Sequence, residues 1–278
     1  MLNTALQSFN EVSRKFEYDY IYIDLIFLTI WISLLIKNKK WNPLKFGLIT
    51  GICVYIIDAV WWWNAPAGIN YPLGTTIREY WIGGIKMPHP IGEFWLLKFG
   101  ADFMMTISYS MFIFSWFWIM VQNYINKYYK EMIKYTLIFF GSWLLVPILS
   151  NLVDLDNTVV FTVRHMDTQM IIWIVNVVIG YSILIIIYGT NRFKSKDPKV
   201  IGYIFLLGCL GSFFMEFPLL ISGIRPAGFT FLLYETLILF NQGAPYLYLL
   251  LDKILPFISK KLRTGKLYYK TELEIQEK

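Results

Sequence analysis

Four acidic side chains are the residues of this chain most able to do chemistry, because they lie within or at the mouth of long apolar runs. They are Asp58, Glu93, Glu216 and Glu235. An ionisable residue in hydrocarbon is expensive and indicates a functional site. A carboxylic acid kept protonated in a dry pocket can donate a proton, and a carboxylate can accept one. Acid–base chemistry is therefore the expected reaction type, and the alternative for each acid is a structural bond to a neighbouring helix or loop.

Two of these acids belong to a pattern that occurs twice. The first copy contains Pro43-Leu44-Lys45-Phe46-Gly47, Cys53, Asp58 and Pro66-Ala67-Gly68. The second copy contains Pro198-Lys199-Val200-Ile201-Gly202, Cys209, Glu216 and Pro226-Ala227-Gly228. Each copy begins in a lysine-rich loop and places one acid inside an apolar helix. The pattern predicts a duplicated structural unit.

The composition is that of a membrane protein. Hydrophobic residues make up 56% of the chain and charged residues 16%, whereas a soluble domain carries about 25% charged residues. Several apolar runs reach the roughly 20 residues that cross a bilayer. The sequence predicts a multi-pass protein of the cell membrane, whose basic charge comes from loop lysines rather than from a nucleic-acid site. The cysteines and histidines do not show metal-ligand spacing, so no metal is expected.

The apolar runs predict an all-α bundle of seven transmembrane helices. They cover about 19–36, 44–63, 91–121, 133–152, 168–189, 200–222 and 229–251. The expected organisation is a three-helix unit at 19–122, a linker helix at 133–153 and a second, parallel unit at 168–251. Residues 1–18 have apolar side chains at helical spacing, which predicts an amphipathic segment along the outer membrane surface, with a frayed terminus as the alternative. Residues 252–278 are expected to form a basic tail.

Basic residues are concentrated in alternate loops of this plan. The rich loops and the tail contain Lys37, Lys39, Lys40, Lys127, Lys130, Lys134, Arg192, Lys194, Lys196, Lys199, Lys260, Lys261, Arg263 and Lys266. The poorer loops contain Arg78, Lys86, Arg164 and Arg225. The positive-inside rule places the rich loops in the cytoplasm. The N-terminus is therefore expected outside and the C-terminus in the cytoplasm.

Polar groups lie in the outer halves of the predicted helices, and the inner halves are almost purely apolar. Asp24, Asp58, Asn176 and Glu216 all fall in outer positions at about 1.5 Å of rise per residue. A channel or proton pump needs polar groups along its whole path, so a closed pocket in the outer half is favoured. Lys98 and Asp102 are spaced i,i+4 and are predicted to neutralise each other as a structural ion pair.

The segment between two predicted helices carries a family resemblance. It contains Asp58 near a helix end, Val60-Trp61-Trp62-Trp63-Asn64, Ile82-Gly83-Gly84 and Pro90-Ile91-Gly92-Glu93-Phe94-Trp95. It resembles the lycopene cyclase domain of the small integral-membrane carotenoid cyclases of archaea, actinobacteria and fungi, a family built from two related three-helix units. The stretch of the second unit is Leu233-Tyr234-Glu235-Thr236-Leu237-Ile238-Leu239-Phe240-Asn241. This chain has one acid where the family has a pair, since Gly92 and Tyr234 occupy the preceding positions.

The resemblance implies acid-initiated cyclisation of a carotenoid or another polyisoprenoid end group, without net redox change. Glu93 and Glu235 are then the expected acid or base of each unit, with Asp58 and Glu216 as their partners. Asn241 would either orient Glu235 or pack helices together. The aromatic residues that would face the substrate are Trp61, Trp62, Trp63 and Trp95; the first three could equally form an aromatic belt at the membrane interface. The expected partners are an isoprenoid or lipid substrate and membrane lipids, and no cofactor is expected because no dinucleotide fingerprint is present.

Two other function classes stay open at the level of sequence. A small transporter could also be built from two parallel helical units, although the apolar inner half argues against a path across the bilayer. A binding or sensor protein of the same fold, without catalysis, is the other alternative.

Overall fold

The computed structural model of the protein describes residues 11–190, 197–225 and 228–257. This part of the chain is mostly helical. The helices are α1 Tyr18–Lys37, α2 Trp41–Asn64, α3 Gly92–Asn126, α4 Tyr129–Ser150, α5 Asp167–Gly189, α6 Pro198–Ile221, α7 Gly228–Ile238 and α8 Ala244–Leu249. Six of them, α1 to α6, are long and apolar enough to cross a membrane. The prediction of a helical membrane protein is confirmed at this level.

The seventh predicted helix, 229–251, is broken rather than continuous. Helix α7 ends at Ile238, a turn occupies residues 239–243, and helical structure resumes in α8. Pro245 lies in the first turn of α8, where its missing N–H costs nothing, whereas in a helix interior it would remove a hydrogen bond. Within the turn, the Phe240 N–H donates to Ser212 Oγ of α6 at 2.9 Å. The break therefore follows from the proline and is satisfied by a side chain of a neighbouring helix.

A four-stranded antiparallel sheet covers one end of the helices, and the sequence patterns did not predict it. Its strands are β1 Glu11–Glu17, β2 Arg78–Ile82, β3 Ile85–Lys86 and β4 Val159–His165, in the order β1-β4-β2-β3. Strand β1 leads directly into α1, β2 and β3 lie between α2 and α3, and β4 leads into α5. The sheet therefore gathers the start of α1, α3 and α5 and the end of α2 and α4 at one end of the bundle.

Strand β1 corrects the helical spacing on which the predicted amphipathic segment at 1–18 rests, over its residues 11–17. Residues 11–17 are extended and pair with β4 along their whole length, so cross-strand hydrogen bonding overrides the weak helical spacing of this segment. Phe16 is buried while Lys15 and Glu17 are exposed, which is the alternation of a strand with one buried face. Residues 1–10, and residues 258–278 of the predicted basic tail, lie outside the described residues.

Helix α3 forms the centre of the bundle. Its segment from Ser110 to Asn123 is buried on all sides, as expected for a helix that is hydrophobic all round. Trp31 of α1 and Phe139 of α4 pack against Phe112 with ring centroids 5.1 and 6.0 Å apart. This aromatic packing fills the space between α1, α3 and α4 at Phe112.

Candidate functional site

A cavity of about 350 Å³ lies between the sheet and the sheet-side halves of α2, α5 and α6. Its charged lining consists of Arg14, Arg78 and Arg164 from the sheet, Asp58 from α2 and Glu216 from α6. Its apolar lining includes Val54, Ile57, Trp62, Phe114, Ile172, Trp173, Leu239 and Phe240. The volume is at the lower end of the roughly 300–1,000 Å³ of small-molecule sites. The arrangement is amphipathic, with charge at the sheet and apolar surface deeper among the helices.

The strand register aims three arginines at the same space. Arg78 of β2 lies directly opposite Arg164 of β4, and Arg14 of β1 lies opposite Thr162, two residues away on β4. Residues that face each other across antiparallel strands share a face of the sheet, and so do residues two apart on one strand. Arg14, Arg78 and Arg164 therefore project from one face, the face that covers the helices.

Asp58 of α2 lines the cavity and pairs with two of these arginines. Its Oδ2 accepts a hydrogen bond from Arg78 Nη1 at 2.5 Å and lies 3.8 Å from Arg164 Nη2. Asp58 is part of a π-helical turn, Ile56–Trp61, and such widened turns occur often at functional positions. The structure thus places Asp58 in a cavity, as predicted, but as an arginine-bound carboxylate rather than as a free acid.

Glu216 of α6 also lines the cavity and belongs to a second charged group. Arg14 Nη2 lies 2.9 Å from Glu216 Oε1, and Arg225 donates to Glu216 Oε2. Arg225 Nη2 donates to Glu235 Oε1 at 2.5 Å. Glu235 is buried beside the cavity but is not part of its lining, and its Oε2 finds no hydrogen-bond partner among the described residues. Three of the four predicted acids therefore meet arginines here, and two of them face the cavity.

Glu93 does not join this group, which corrects its predicted role as a reactive acid. It lies in a short 3₁₀ turn, Gly92–Phe94, is exposed, and is not part of the cavity lining. The inward side of α3 carries Lys98 and Asp102, both fully buried. At 3.6 residues per turn, Glu93 is about 140° from Lys98 and half a turn from Asp102, so it points away from the bundle interior.

The buried pair of Lys98 and Asp102 confirms the predicted ion pair, with Nζ and Oδ2 2.7 Å apart. Lys98 also donates to the Ala59 carbonyl at 2.5 Å, and the Tyr80 hydroxyl donates to Asp102. Arg78 lies 3.9 Å from Asp102, so this pair is continuous with the group around Asp58.

The predicted tryptophan cluster is divided among three environments. Trp62 lines the cavity. Trp61 and Trp95 are 67% and 57% exposed on the outer surface of the helices, which corrects their assignment to a substrate pocket. Trp63 is buried against His89, with ring centroids 3.9 Å apart, and Lys98 Nζ lies 4.4 Å from its ring centroid. Consecutive helical residues point in directions about 100° apart, so three neighbouring tryptophans cannot face one pocket.

Asn241 packs helices rather than orienting Glu235. The Tyr181 hydroxyl donates to Asn241 Oδ1 at 2.5 Å, and Asn241 Nδ2 donates to the Leu237 carbonyl at 2.8 Å. Its neighbours Phe240, Gln242 and Gly243 reach the cavity, but Asn241 is not part of the lining. The predicted contact with a substrate is thus not seen, and helix packing, the other interpretation, is.

The sequence analysis missed four residues of the site: Arg14, Arg78 and Arg164 of the sheet, and Trp173 of α5. It treated Arg78 and Arg164 only as basic residues of loops between predicted helices. The run Val159 to His165 is rich in β-branched residues, which is a signal for a strand. Recognising that strand would have placed Arg164 on a definite face of a sheet.

The pKa values of the two facing arginines are shifted in opposite directions. Burial disfavours the charged form of Arg78, but the carboxylate of Asp58 outweighs it, and the pKa of Arg78 is raised. Burial, and then the neighbouring charge of Arg78, lowers the pKa of Arg164 to about 10. Both guanidinium groups are therefore charged at neutral pH, but the charge of Arg164 is the less well compensated.

Among the described residues, no group of three histidine, cysteine, aspartate or glutamate side chains is placed to hold a metal ion. No family model matches the chain, and no curated protein or solved structure matches it either. The resemblance to the lycopene cyclase domain therefore stays a prediction from sequence motifs.

Proposed function

We propose that this chain is a multi-pass membrane protein that binds a lipid-like molecule in the cavity between the sheet and the helices. The observation that carries the proposal is the amphipathic lining, with arginine and carboxylate side chains at the sheet and apolar side chains between α2, α5 and the 239–243 turn. A soluble polar ligand would leave the apolar wall unused, and a purely apolar ligand would leave charged groups facing hydrocarbon.

The membrane arrangement that we propose is the one expected from the sequence. Six spans are α1 to α6, and α7 with α8 forms a seventh, broken span. Lysines of the α1–α2 and α3–α4 connections, including Lys39 and Lys127, lie at the end opposite the sheet, which supports a cytoplasmic location for that end of a cell-membrane protein. The sheet and the mouth of the cavity then face outward.

The proposal of two parallel units, α1–α3 and α5–α8, is supported by how their acids are bonded. Asp58 pairs with Arg78, and Glu216 pairs with Arg225. In each case the arginine comes from the connection that follows the acid-bearing helix. This similarity adds to the repeated sequence pattern.

The test of lipid binding is a cavity-filling substitution. Purified full-length protein in phosphatidylcholine nanodiscs should bind decanol, and Ile172→Trp should weaken that binding about ten-fold or more because the indole fills the space the chain needs. The matched control is Leu145→Trp on the outer face of α4, where Leu145 is exposed; it should bind as the unaltered protein does. Equal binding by both variants, or no binding by the unaltered protein, would refute the proposal.

Isoprenoid cyclisation is a second candidate, favoured by the presence of Asp58 and Glu216 in one cavity with Trp62 and Trp173. Both carboxylates are bound by arginines, which stabilises their charged forms. In this reaction they would accept the proton lost after ring closure, and a different acid would donate the first proton. Expression in a lycopene-accumulating bacterium should yield a cyclic carotene, and Asp58→Asn should reduce the yield strongly while Glu93→Gln should not. Unchanged lycopene alongside membrane-inserted protein would exclude lycopene as the substrate.

A further inference from the structure

The charged groups around the cavity fall into two ion-pair networks of unequal balance. The first network joins Arg14, Glu216, Arg225 and Glu235. It contains two cations and two carboxylates and is neutral. The second network joins Arg164, Asp58, Arg78, Asp102 and Lys98. It contains three cations and two carboxylates, so one positive charge has no counterpart within it.

The surplus charge lies at Arg164. Asp58 is shared, with Arg78 Nη1 at 2.5 Å and Arg164 Nη2 only at 3.8 Å. The Trp173 ring centroid lies 6.0 Å from the Arg164 guanidinium. Within the part of the chain that the structure describes, the Arg164 side chain makes no hydrogen bond, although its side chain is only 12% exposed. A guanidinium group has five N–H donors, and burying them without acceptors is costly.

The sheet makes this cost larger. Arg164 stands directly opposite Arg78 on the neighbouring strand, and like charges opposite each other on a sheet destabilise it. Arg164 nevertheless points into the cavity rather than toward water on the exposed face. A buried like-charged pair that shares one carboxylate is the arrangement expected where an anion from outside the protein completes the charge balance.

We propose that the cavity is specific for an anionic amphiphile, one with a carboxylate or phosphate head and an apolar chain. The head binds Arg164 through paired N–H donors, the geometry in which arginine recognises both groups. The chain lies against Ile172, Trp173 and Leu239. This inference rests on the proposed lipid-binding function and deepens it by naming the chemistry of the head group.

The test compares the binding of three probes to the full-length protein in phosphatidylcholine nanodiscs. One probe has both an anionic head and an apolar chain, and each of the other two lacks one of these parts. The probes are decyl phosphate, decanol and inorganic phosphate. We expect decyl phosphate to bind at least about ten-fold more tightly than decanol, because its charged head accepts hydrogen bonds from the Arg164 guanidinium. Arg164→Gln should remove that preference, and Arg164→Lys should restore part of it.

The matched control is Lys15→Gln, which removes one positive charge from the exposed face of β1. It should keep the full preference, so that a loss in Arg164→Gln cannot be ascribed to net charge. The preference is a ratio measured on one variant, so it does not depend on how much of that variant is folded.

The outcomes separate the two proposals. Equal binding of decyl phosphate and decanol by the unaltered protein would overturn the inference and leave the lipid-binding function standing. A preference that survives in Arg164→Gln would overturn the assignment to Arg164. Binding of inorganic phosphate as tight as that of decyl phosphate would indicate a site for a free anion and would overturn both the amphiphile and the lipid-binding function.

Discussion

At the scale of single residues, Arg78 and Arg164 face each other across two strands but have very different surroundings. Arg78 contacts both Asp58 and Asp102, at 2.5 and 3.9 Å. Arg164 has only the longer contact to Asp58. The guanidinium of Arg78 therefore contacts both carboxylates, and that of Arg164 adds charge that those carboxylates do not balance.

This difference predicts opposite effects on stability in the ligand-free protein. Arg78→Gln should lower the free energy of unfolding by about 3–5 kcal/mol, because it removes the close partner of Asp58 and leaves that carboxylate with only the 3.8 Å contact to Arg164. Arg164→Gln should change it by less than about 1 kcal/mol or raise it, because a repulsion is removed. The measurement is denaturant unfolding of both variants in one detergent. A large loss of stability in Arg164→Gln would show that its charge is already balanced.

The sequence predicted a residue's contacts correctly where both partners belong to the same helix. Lys98 and Asp102 are one helical turn apart, and their pairing follows from that spacing alone. Glu93 failed because the motif fixed only its position in the chain, whereas its direction, half a helical turn from the buried Asp102, turns it away from the interior. The contacts of Asp58 with Arg164 and of Glu216 with Arg14 could not be predicted, because these arginines come from strands far apart in the sequence from the acids they meet.

At the scale of secondary structure, the close contact of α2 with α3 depends on Gly47. A Cβ atom at this position would meet Ser115 Oγ and lie 3.1 Å from the Met111 carbonyl oxygen. The backbone atom cannot move without shifting α3. A small residue here lets the two helices approach closely, as is common for helices packed in membranes.

Gly47→Val should therefore destabilise the protein by about 1–3 kcal/mol, the usual cost of overpacking. Gly141 on α4 is the matched position, because a Cβ atom added there would have no atom from outside its own helix within 4 Å. Gly141→Val should have little effect, since both changes replace a helical glycine by the same residue. Thermal unfolding of the two variants in the same detergent is the measurement, and equal melting temperatures would contradict the packing of α2 on α3.

The helices were predictable and the strands were not, for a physical reason. Each of the six long helices consists of one continuous apolar run, so it can be recognised from neighbouring residues in the sequence alone. The sheet is held together by pairing between β1, β2 and β4, and their partners lie between about 80 and 150 residues apart in the sequence. Short strands with such distant partners leave only a weak local pattern.

At the scale of the whole molecule, the sheet and the lysine-rich loops mark opposite ends of the bundle. With Cys53 and Cys209 replaced by alanine, a cysteine at Leu73, which is fully exposed on the sheet side, should react with a membrane-impermeant maleimide on intact cells. A cysteine at Lys39, in the α1–α2 connection, should react only after the membrane is opened. The reverse pattern would place the cavity mouth in the cytoplasm.

The central claim is that an anionic amphiphile binds in the cavity, and photolabelling tests it most directly. Decyl phosphate carrying a diazirine on its chain is bound to the full-length protein in phosphatidylcholine nanodiscs, and the labelled peptides are identified by mass spectrometry. We predict labels on α2 near Val54, on α5 near Ile172 and in the 239–243 turn, competed away by unlabelled decyl phosphate. Labels spread over lipid-facing positions such as Leu145, unchanged by the competitor, would contradict a binding site in the cavity.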